Sequence, residues 1–324
     1  MKKNLIIALV IIVINLIACF ANDFASWYAK NISKLYINTL GRLFDLFPFS
    51  VFEWLVIMLI IFLLVLIIKY RSLTLVIRYL LILILIFTLT TGINYHRQPL
   101  NKEMNFKKIE YTIDDLKQLC NYVTTKLETL EVKELSVNKI HQVAKKAMNE
   151  IIPNYYPDPK PMFFSDLMTR ANLSGIFSPF TIEANYNQAM PTYNKPFTIC
   201  HELSHLAGYM LEDEANFIAY LACTSSNESY FNYSGYLTAF VYLCNTLSQN
   251  GADISAYQQR LPAKMINDLK ENNQFWHQYG DFLANIVDDV NDTYLKINSV
   301  SEGVNSYNQF IDLIYSYYKN NHLI

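Results

Sequence analysis

The pattern of hydrophobic positions divides the chain into two parts. Three long apolar runs occupy the first third of the sequence, at residues 5–21, 51–68 and 73–91. Each run approaches the ~20 residues with which an α-helix crosses a hydrocarbon core of ~30 Å. The pattern therefore predicts a membrane domain with three transmembrane helices at residues 1–94. A cleaved signal peptide is the alternative for the first run, but this run is long for one and ends in a poor cleavage site, so we favour a retained helix.

Amphipathic patterns replace the apolar runs in the remaining residues, 95–324. Four segments have the periodicity of helices with one apolar face, at residues 114–130, 137–152, 282–297 and 307–318. Residues 174–186 are instead rich in β-branched and aromatic side chains punctuated by Gly and Pro, which predicts one or two edge strands. The pattern turns helical again after Pro196. We therefore expect a mostly α (α+β) chain, in which three transmembrane helices precede one domain with a small β-sheet.

The basic residues that flank the apolar runs predict an orientation in the membrane. Lys2 and Lys3 precede the first run, and Lys69 and Arg71 lie in the short turn between the second and the third. Cytoplasmic loops are enriched in Lys and Arg, so both points are predicted to be cytoplasmic. Basic residues in the loop between the first two runs weaken this bias. Three crossings place the N-terminus in the cytoplasm and the following domain outside it, in a multi-pass protein of the cell membrane.

Composition narrows the possible partners. Apolar residues make up 52% of the chain and charged residues only 17%, which is far from a typical soluble composition and agrees with a lipid bilayer as one partner. The formal net charge of -2 provides no basic field for a phosphate backbone, so we expect no nucleic acid partner. The chain contains no pair of cysteines with CxxC spacing, so a cysteine-based zinc site is not indicated. Apolar, helix-like surroundings favour free thiols over disulfides for Cys120, Cys200, Cys223 and Cys244.

A candidate metal site lies in the segment HELSH at residues 201–205. His201 and His205 are four residues apart, so on an α-helix both imidazoles lie on one face and can hold one ion. Glu202 stands beside the first histidine, where it can act as general base and acid for a zinc-activated water. A surface helix with two solvated histidines is the alternative. The apolar flanks predict burial instead, and buried His and Glu side chains are costly without a partner.

A catalytic zinc usually has a third protein ligand, and two acidic residues compete for this role. Leu211 stands where the pattern HExxHxxGxxH requires a third histidine, which excludes that subclass. The segment EDEAN at 212–216 resembles the second-helix motif of gluzincin-type peptidases, in which a Glu ligand is followed after four residues by a supporting Asp or Asn. This resemblance implies Glu212 as the ligand and Asn216 as the supporting residue. Glu214 is the alternative ligand, because it shares its side of the helix with apolar residues.

Longer stretches of the chain resemble one family. The three apolar runs, NYHRQPL at 94–100, the segment at 174–185, HELSHLAG, EDEANFIAYLAC and EGVNSY at 302–307 together resemble a family of bacterial multi-pass membrane proteins. This family is classed as a domain of unknown function and grouped with zincin-like metallopeptidases. The resemblance covers nearly the whole chain. It implies a zincin-like, gluzincin-type fold for residues 95–324 and hydrolysis with Zn²⁺ as cofactor, and it supplies no substrate.

The resemblance also implies where a substrate would bind. Zincins commonly run an edge strand antiparallel to the substrate above the active-site helix, and residues 176–185 resemble that strand by position. The candidate substrate-binding residues are Ile176, Phe180, Glu183 and Asn185. An ordinary sheet strand is the alternative. An oxyanion-stabilising donor would complete the site, and by residue type the candidates are Tyr307, which we favour, Tyr193, His277 and Arg97.

These patterns together predict an enzyme, a membrane-anchored zinc metallopeptidase acting on a peptide or protein substrate. Zn²⁺ is expected to bind His201, His205 and Glu212, with Glu202 as general base and acid. The alternative is a zinc-binding membrane sensor whose proteolysis is self-limited or lacking. A structural protein with a vestigial site is a third hypothesis, and the presence of Glu202 argues against it.

Overall fold

The first apolar run forms helix α1 (Lys2–Phe20) in the computed structural model of the chain. The structure describes residues 2–278, 285, 287–288 and 309–324. A bent helical segment follows α1. It consists of α2 (Asn22–Tyr28), α3 (Lys34–Tyr36) and α4 (Arg42–Asp45), with π-helical turns between them at Ala29–Ser33 and Ile37–Gly41.

The second and third apolar runs form helices α5 (Val51–Ile68) and α6 (Leu73–Thr90). Together with α1, they are the three described helices that are long and apolar enough to cross a membrane. Their bounds agree with the predicted spans to within a few residues. The prediction of three apolar N-terminal helices that could span a membrane is therefore confirmed.

The three long helices are arranged so that consecutive ones run in opposite directions. The side-chain amide of Asn4 on α1 donates to the carbonyl of Thr74, 3.0 Å away, and its oxygen accepts from Nε of Arg78 at 3.2 Å. The start of α1 therefore lies beside the start of α6, and the basic residues at positions 2, 3, 69 and 71 share one end of the bundle. Arg78 bonds to a neighbouring helix at that same end. The chain continues from the opposite end.

The remaining elements build a helical domain around a small sheet. A 3₁₀ turn at Gly92–His96 leads from α6 into this domain. Its helices and strands in chain order are α7 (Leu100–Glu103), α8 (Ile113–Glu128), α9 (Val137–Ile151), β1 (Lys160–Met162), α10 (Ser165–Arg170), β2 (Gly175–Ser178), β3 (Glu183–Asn187), α11 (Lys195–Leu206), α12 (Glu212–Thr224), α13 (Ser229–Gln249), α14 (Ser255–Arg260), α15 (Ala263–Trp276) and α16 (Gln309–Asn320). Most of the helix predicted at 282–297 lies outside the described residues. The mostly helical fold with a small sheet is confirmed.

The sheet has three strands in the order β1-β3-β2. Strand β1 runs parallel to β3, with Lys160 opposite Asn185, and β2 runs antiparallel to β3, with Ile176 also opposite Asn185. Strand β3 is therefore central, and in the described sheet β1 and β2 form the edges. Both β2 and β3 pack against α11.

Helices α11 and α12 lie at the centre of the domain. They pack against each other, both contact α9 and α13, and α12 also packs against α16. Phe217 and Tyr220 of α12 are fully buried, and the ring of Phe310 on α16 contacts both Tyr220 and Phe197 of α11. A Cβ atom at Gly235 would lie 2.7 Å from Cβ of Cys223, so this glycine allows the close approach of α12 and α13. All five cysteines are free, and the four for which free thiols are predicted are buried.

Two buried carboxylates join the first turn of α5 to the sheet and its neighbouring loop. Glu183 on β3 accepts from the backbone N–H groups of Val51 and Phe52, at 3.1 and 2.9 Å. In the reverse direction, Glu53 on α5 accepts from the backbone N–H groups of residues 163–164, both at 2.8 Å. An anionic side chain suits the unpaired N–H groups and positive dipole at a helix N-terminus. We refer to these two interactions as the carboxylate clasp.

Candidate metal centre

Helix α11 presents both histidines of the HELSH segment on one face. Pro196 lies in its first turn, where a missing N–H is tolerated, and the flanking apolar side chains of the helix are buried. The rings of His201 and His205 are 4.6 Å apart between centroids, and their Nε2 atoms are 3.0 Å apart. The four-residue spacing therefore brings the two imidazoles to one point, as predicted.

A tight turn reverses the chain directly after the second histidine. Gly208 has a φ of +92°, its N–H donates to His205 O, and the N–H of Tyr209 donates to Ser204 O. These two bonds form the Schellman motif that ends many helices, in which glycine adopts the left-handed conformation without steric cost. Arg97 closes the turn from outside, because it donates to Gly208 O at 3.0 Å and lies 3.8 Å over the Tyr209 ring.

The turn places the first residue of α12 next to the histidines. Oε2 of Glu212 is 3.1 Å from Nε2 of His201 and 3.6 Å from Nε2 of His205. Three atoms with these separations surround a point about 2.1 Å from each of them, just outside their plane, and this is the distance of zinc from nitrogen and oxygen ligands. Among the described residues, His201, His205 and Glu212 form the one group of three or more His, Cys, Asp or Glu side chains that could share a metal ion.

The protonation chemistry of the cluster also suits a cation. Nδ1 of His205 donates to the carbonyl of Tyr209 at 2.8 Å, which leaves Nε2 to face the other ligand atoms. Burial disfavours the charged imidazole, but the carboxylate of Glu212 outweighs it and raises the pKa of His205 to about 9. Burial acts against the charge of Glu212 as well, and the two histidines nevertheless hold its pKa far below the usual range. A positive charge, proton or metal ion, is therefore stabilised between these atoms, and the three residues fit zinc.

Glu202 lies between the cluster and the outer edge of β2. Burial raises the pKa of this carboxyl group, and the backbone N–H of Phe177 donates to it. A Cβ atom at Gly175 would lie 2.4 Å from Oε1 of Glu202, so the strand approaches the carboxylate closely only because position 175 is glycine. Glu202 and both histidines line the same cavity.

The structure directs the rival acid, Glu214, away from the cluster. Its Oε1 accepts from the backbone N–H of Leu100 at 2.6 Å, at the start of α7. Burial and the neighbouring Asp213 raise the pKa of Glu214 to about 7. The structure thus brings Glu212, and not Glu214, together with His201 and His205.

Asn216 lies one turn after Glu212 on α12 and lines the cavity. Its side-chain amide contacts the hydroxyl of Tyr242 on α13. Burial and the nearby charge of Glu212 raise the pKa of Tyr242 to about 12, so this tyrosine remains a hydrogen-bond donor at neutral pH. No sequence signal marks Tyr242, because nothing local to α13 indicates which of its tyrosines faces α12.

Two of the four proposed substrate-binding residues lie elsewhere than expected. Ile176 on the edge strand β2 and Phe180 in the loop after it line the cavity. Glu183 and Asn185 both lie on the central strand β3, where Asn185 pairs with β1 and β2, and Glu183 pairs with β2 and binds the first turn of α5. Glu183 is instead part of the carboxylate clasp, and Asn185 donates to the carbonyl of Ile176 at 3.2 Å.

The candidate oxyanion donors are dispersed. Tyr307 lies outside the described residues. Tyr193 lines the cavity while its hydroxyl donates to Asp268 O at 3.2 Å. Arg97 is engaged at the turn after α11, and His277 follows the end of α15.

The cavity beside the histidines has a volume of about 1000 Å³ and is mostly apolar. Part of its wall comes from the second and third long apolar helices, α5 and α6, and from the turn that follows α6. The residues in question are Phe52 of α5, Phe87 of α6, Thr91 at the end of α6, and Tyr95. No sequence signal marks these residues as part of the site, because they precede the motif by more than a hundred positions.

A family model described as "Protein of unknown function (DUF3810)" matches residues 28–315. The chain belongs to this family. The matched region runs from the end of α2 into α16 and includes both ligand-bearing helices. No curated protein and no solved structure matches the chain. The family description names no activity.

Proposed function

We propose that this protein is a membrane-anchored, zinc-dependent metallopeptidase. The observation that carries the proposal is the convergence of His201, His205 and Glu212 on one point, with Glu202 beside it in the same cavity. Two His and one Glu with an accessible fourth position form the ligand set of hydrolytic zinc sites. A zincin-like relationship accounts for the motif and for the edge strand that lies next to it.

The roles of the residues follow from their positions. Zinc bound by the three ligands would supply a Lewis acid that polarises a substrate carbonyl and lowers the pKa of water. The carboxylate of Glu202 accepts a proton from the attacking water and donates it to the leaving amine nitrogen. Burial raises the pKa of Glu202 and so favours the protonated form, which is the form that donates to the leaving group. The outer edge of β2 offers backbone groups to an extended peptide.

The test uses the full chain in lipid nanodiscs, loaded with zinc. We expect about one zinc per chain and hydrolysis of internally quenched peptides. Glu202→Gln should keep the zinc and lose roughly 10²–10⁴-fold in kcat, because general base catalysis has this magnitude. Full activity of Glu202→Gln would refute the proposal, and so would failure of the zinc-loaded wild type to hydrolyse these peptides both in free form and attached to a membrane anchor.

A second candidate function is a zinc-binding membrane sensor. The carboxylate clasp favours it, because Glu183 and Glu53 connect the sheet beside the site directly to the first turn of α5. In either case, we propose that the basic end of the helix bundle is cytoplasmic and that the domain at 95–324 lies outside the cell. A reporter that responds to zinc equally in the wild type and in Glu202→Gln, without hydrolysis, would favour the sensor.

A further inference from the structure

The wall of the candidate active-site cavity includes the ends of two helices that could span a membrane. Phe52 is the second residue of α5. Its backbone N–H donates to Glu183 on β3, and this bond fixes the first turn of α5 against the sheet. Phe87 lies three residues before the end of α6, which is ~4.5 Å along the helix axis. Both side chains line the same cavity as His201.

The contacts continue from these helix ends to the reacting groups. Tyr95 and Met210 form a small apolar cluster against which Phe87, Phe177 and Leu211 pack. The N–H of Phe177 donates to Glu202, and Leu211 immediately precedes Glu212. One layer of side chains therefore separates the end of α6 from the general base and from the carboxylate ligand.

This placement sets the depth of the site in a bilayer. The polar headgroup region adds ~5–8 Å on each side of a hydrocarbon core of ~30 Å. Helix α6 ends at Thr90, near the boundary of the hydrocarbon core if it spans the bilayer, and the cavity begins at this level. The site therefore lies at the depth of the lipid headgroups.

A rim of exposed apolar side chains lies at the same level. Because Glu53 binds the backbone of residues 163–164, the segment that follows is held beside the first turn of α5. Phe163 is 72% exposed and Leu167 is 59% exposed, which is unfavourable in water and suits a lipid interface. The segment just before α5 adds further exposed apolar residues: Leu46, Phe47 and Phe49.

We propose that the substrate is a polypeptide anchored in the same bilayer, and that it is cut in an extended segment close to where the segment leaves the membrane. This inference rests on the proposed peptidase function. An anchored polypeptide is confined to the layer in which the cavity lies, so its effective concentration there is high. Its extended segment would add to the outer edge of β2, between the ends of α5 and α6 and the ligand-bearing helices.

The experiment compares anchored and soluble substrates in liposomes that contain the full zinc-loaded chain. The same randomised, internally quenched segment is supplied as a free peptide, and fused to a transmembrane helix through spacers of about 5 and about 30 residues, which extend to roughly 17 and 100 Å. We expect the short-spacer substrate to be cleaved at least about tenfold faster than the free peptide at equal concentration, and the long spacer to lose most of this advantage.

The outcomes separate this inference from the proposed function. Cleavage of the free peptide at the same rate as the short-spacer substrate, or faster, would overturn the substrate class and leave the peptidase standing. Lack of cleavage of every substrate by the zinc-loaded chain would overturn both.

The rim offers a variant with a matched control. Phe163→Ser removes an exposed apolar side chain beside α5, whereas Ile113→Ser removes one that is 42% exposed at the start of α8. Neither residue contacts the ligands, so the rate on the free peptide should stay unchanged in both. We expect Phe163→Ser to reduce the preference for the short-spacer substrate several-fold and Ile113→Ser to preserve it. Equal preferences in the two variants would overturn the role of the rim.

Discussion

Substitution of the two neighbouring glutamates on α12 tests the ligand set most directly. Oε2 of Glu212 lies 3.1 and 3.6 Å from the two imidazole nitrogens, whereas Glu214 accepts from the backbone of Leu100. Glu212→Gln replaces an anionic ligand by a weak neutral one at nearly constant volume. Glu214→Gln is a matched control on the same buried turn, because burial already raises the pKa of Glu214 to about 7 and an amide can still accept from Leu100.

The expected loss follows from the energy of a four-ligand site. Structural zinc sites bind with about 10–16 kcal/mol, so an equal share for each ligand is roughly 2.5–4 kcal/mol. Loss of one share weakens binding by about 10²–10³-fold. Glu214→Gln should remain within a few-fold of the wild type, since its carboxylate does not face the cluster.

The assay is a competition titration of purified full-length protein against a zinc chelator, with thermal unfolding as the check on folding. Equal weakening by both substitutions in folded protein would refute the assignment of Glu212 as ligand. Wild-type affinity in Glu212→Gln would refute it as well.

Three further predictions concern the surroundings of the site. Gly175→Ala should lower kcat at least about tenfold with an unchanged zinc content, because the new Cβ would lie 2.4 Å from Oε1 of Glu202 and displace the carboxylate. An unchanged kcat would contradict this prediction. Gly208→Ala should reduce the free energy of unfolding by about 1–2 kcal/mol, because φ is +92° at this position. A thermal shift assay in the presence of zinc measures the effect. An unchanged unfolding midpoint would argue against a turn that requires glycine. Burial raises the pKa of Glu183, so its contribution to stability is present below the unfolded pKa of about 4.5 and is lost as pH rises through the folded pKa. The wild type should therefore lose stability relative to Glu183→Gln as the pH rises above about 4.5 in paired unfolding experiments, and a change of the opposite sign would sink the reasoning.

The features that the sequence determined by itself are local along the chain. The three apolar helices follow from mean hydropathy over ~20 residues, and this property needs no knowledge of the partner elements. The pairing of His201 with His205 follows from helix geometry, since residues four apart share a face. Gly208 as the end of α11 is local as well, because the two hydrogen bonds of its Schellman motif connect it only to the preceding turn.

The tertiary structure alone decided which distant groups meet. Glu212 and Glu214 are two residues apart and point to different sides of one helix, so the choice between them depends on the turn that Arg97 holds from outside. The pattern of β-branched and aromatic residues predicts strands over residues 174–186. The central position of β3, however, depends on its pairing with β1. In this position Glu183 binds the first turn of α5 and does not face a substrate. The physical reason is the sequence separation of the residues involved. Hydropathy and helix spacing depend on residues within about 20 positions of one another. Strand order, burial of a carboxylate and the wall of a cavity depend on contacts between segments that are far apart in the sequence.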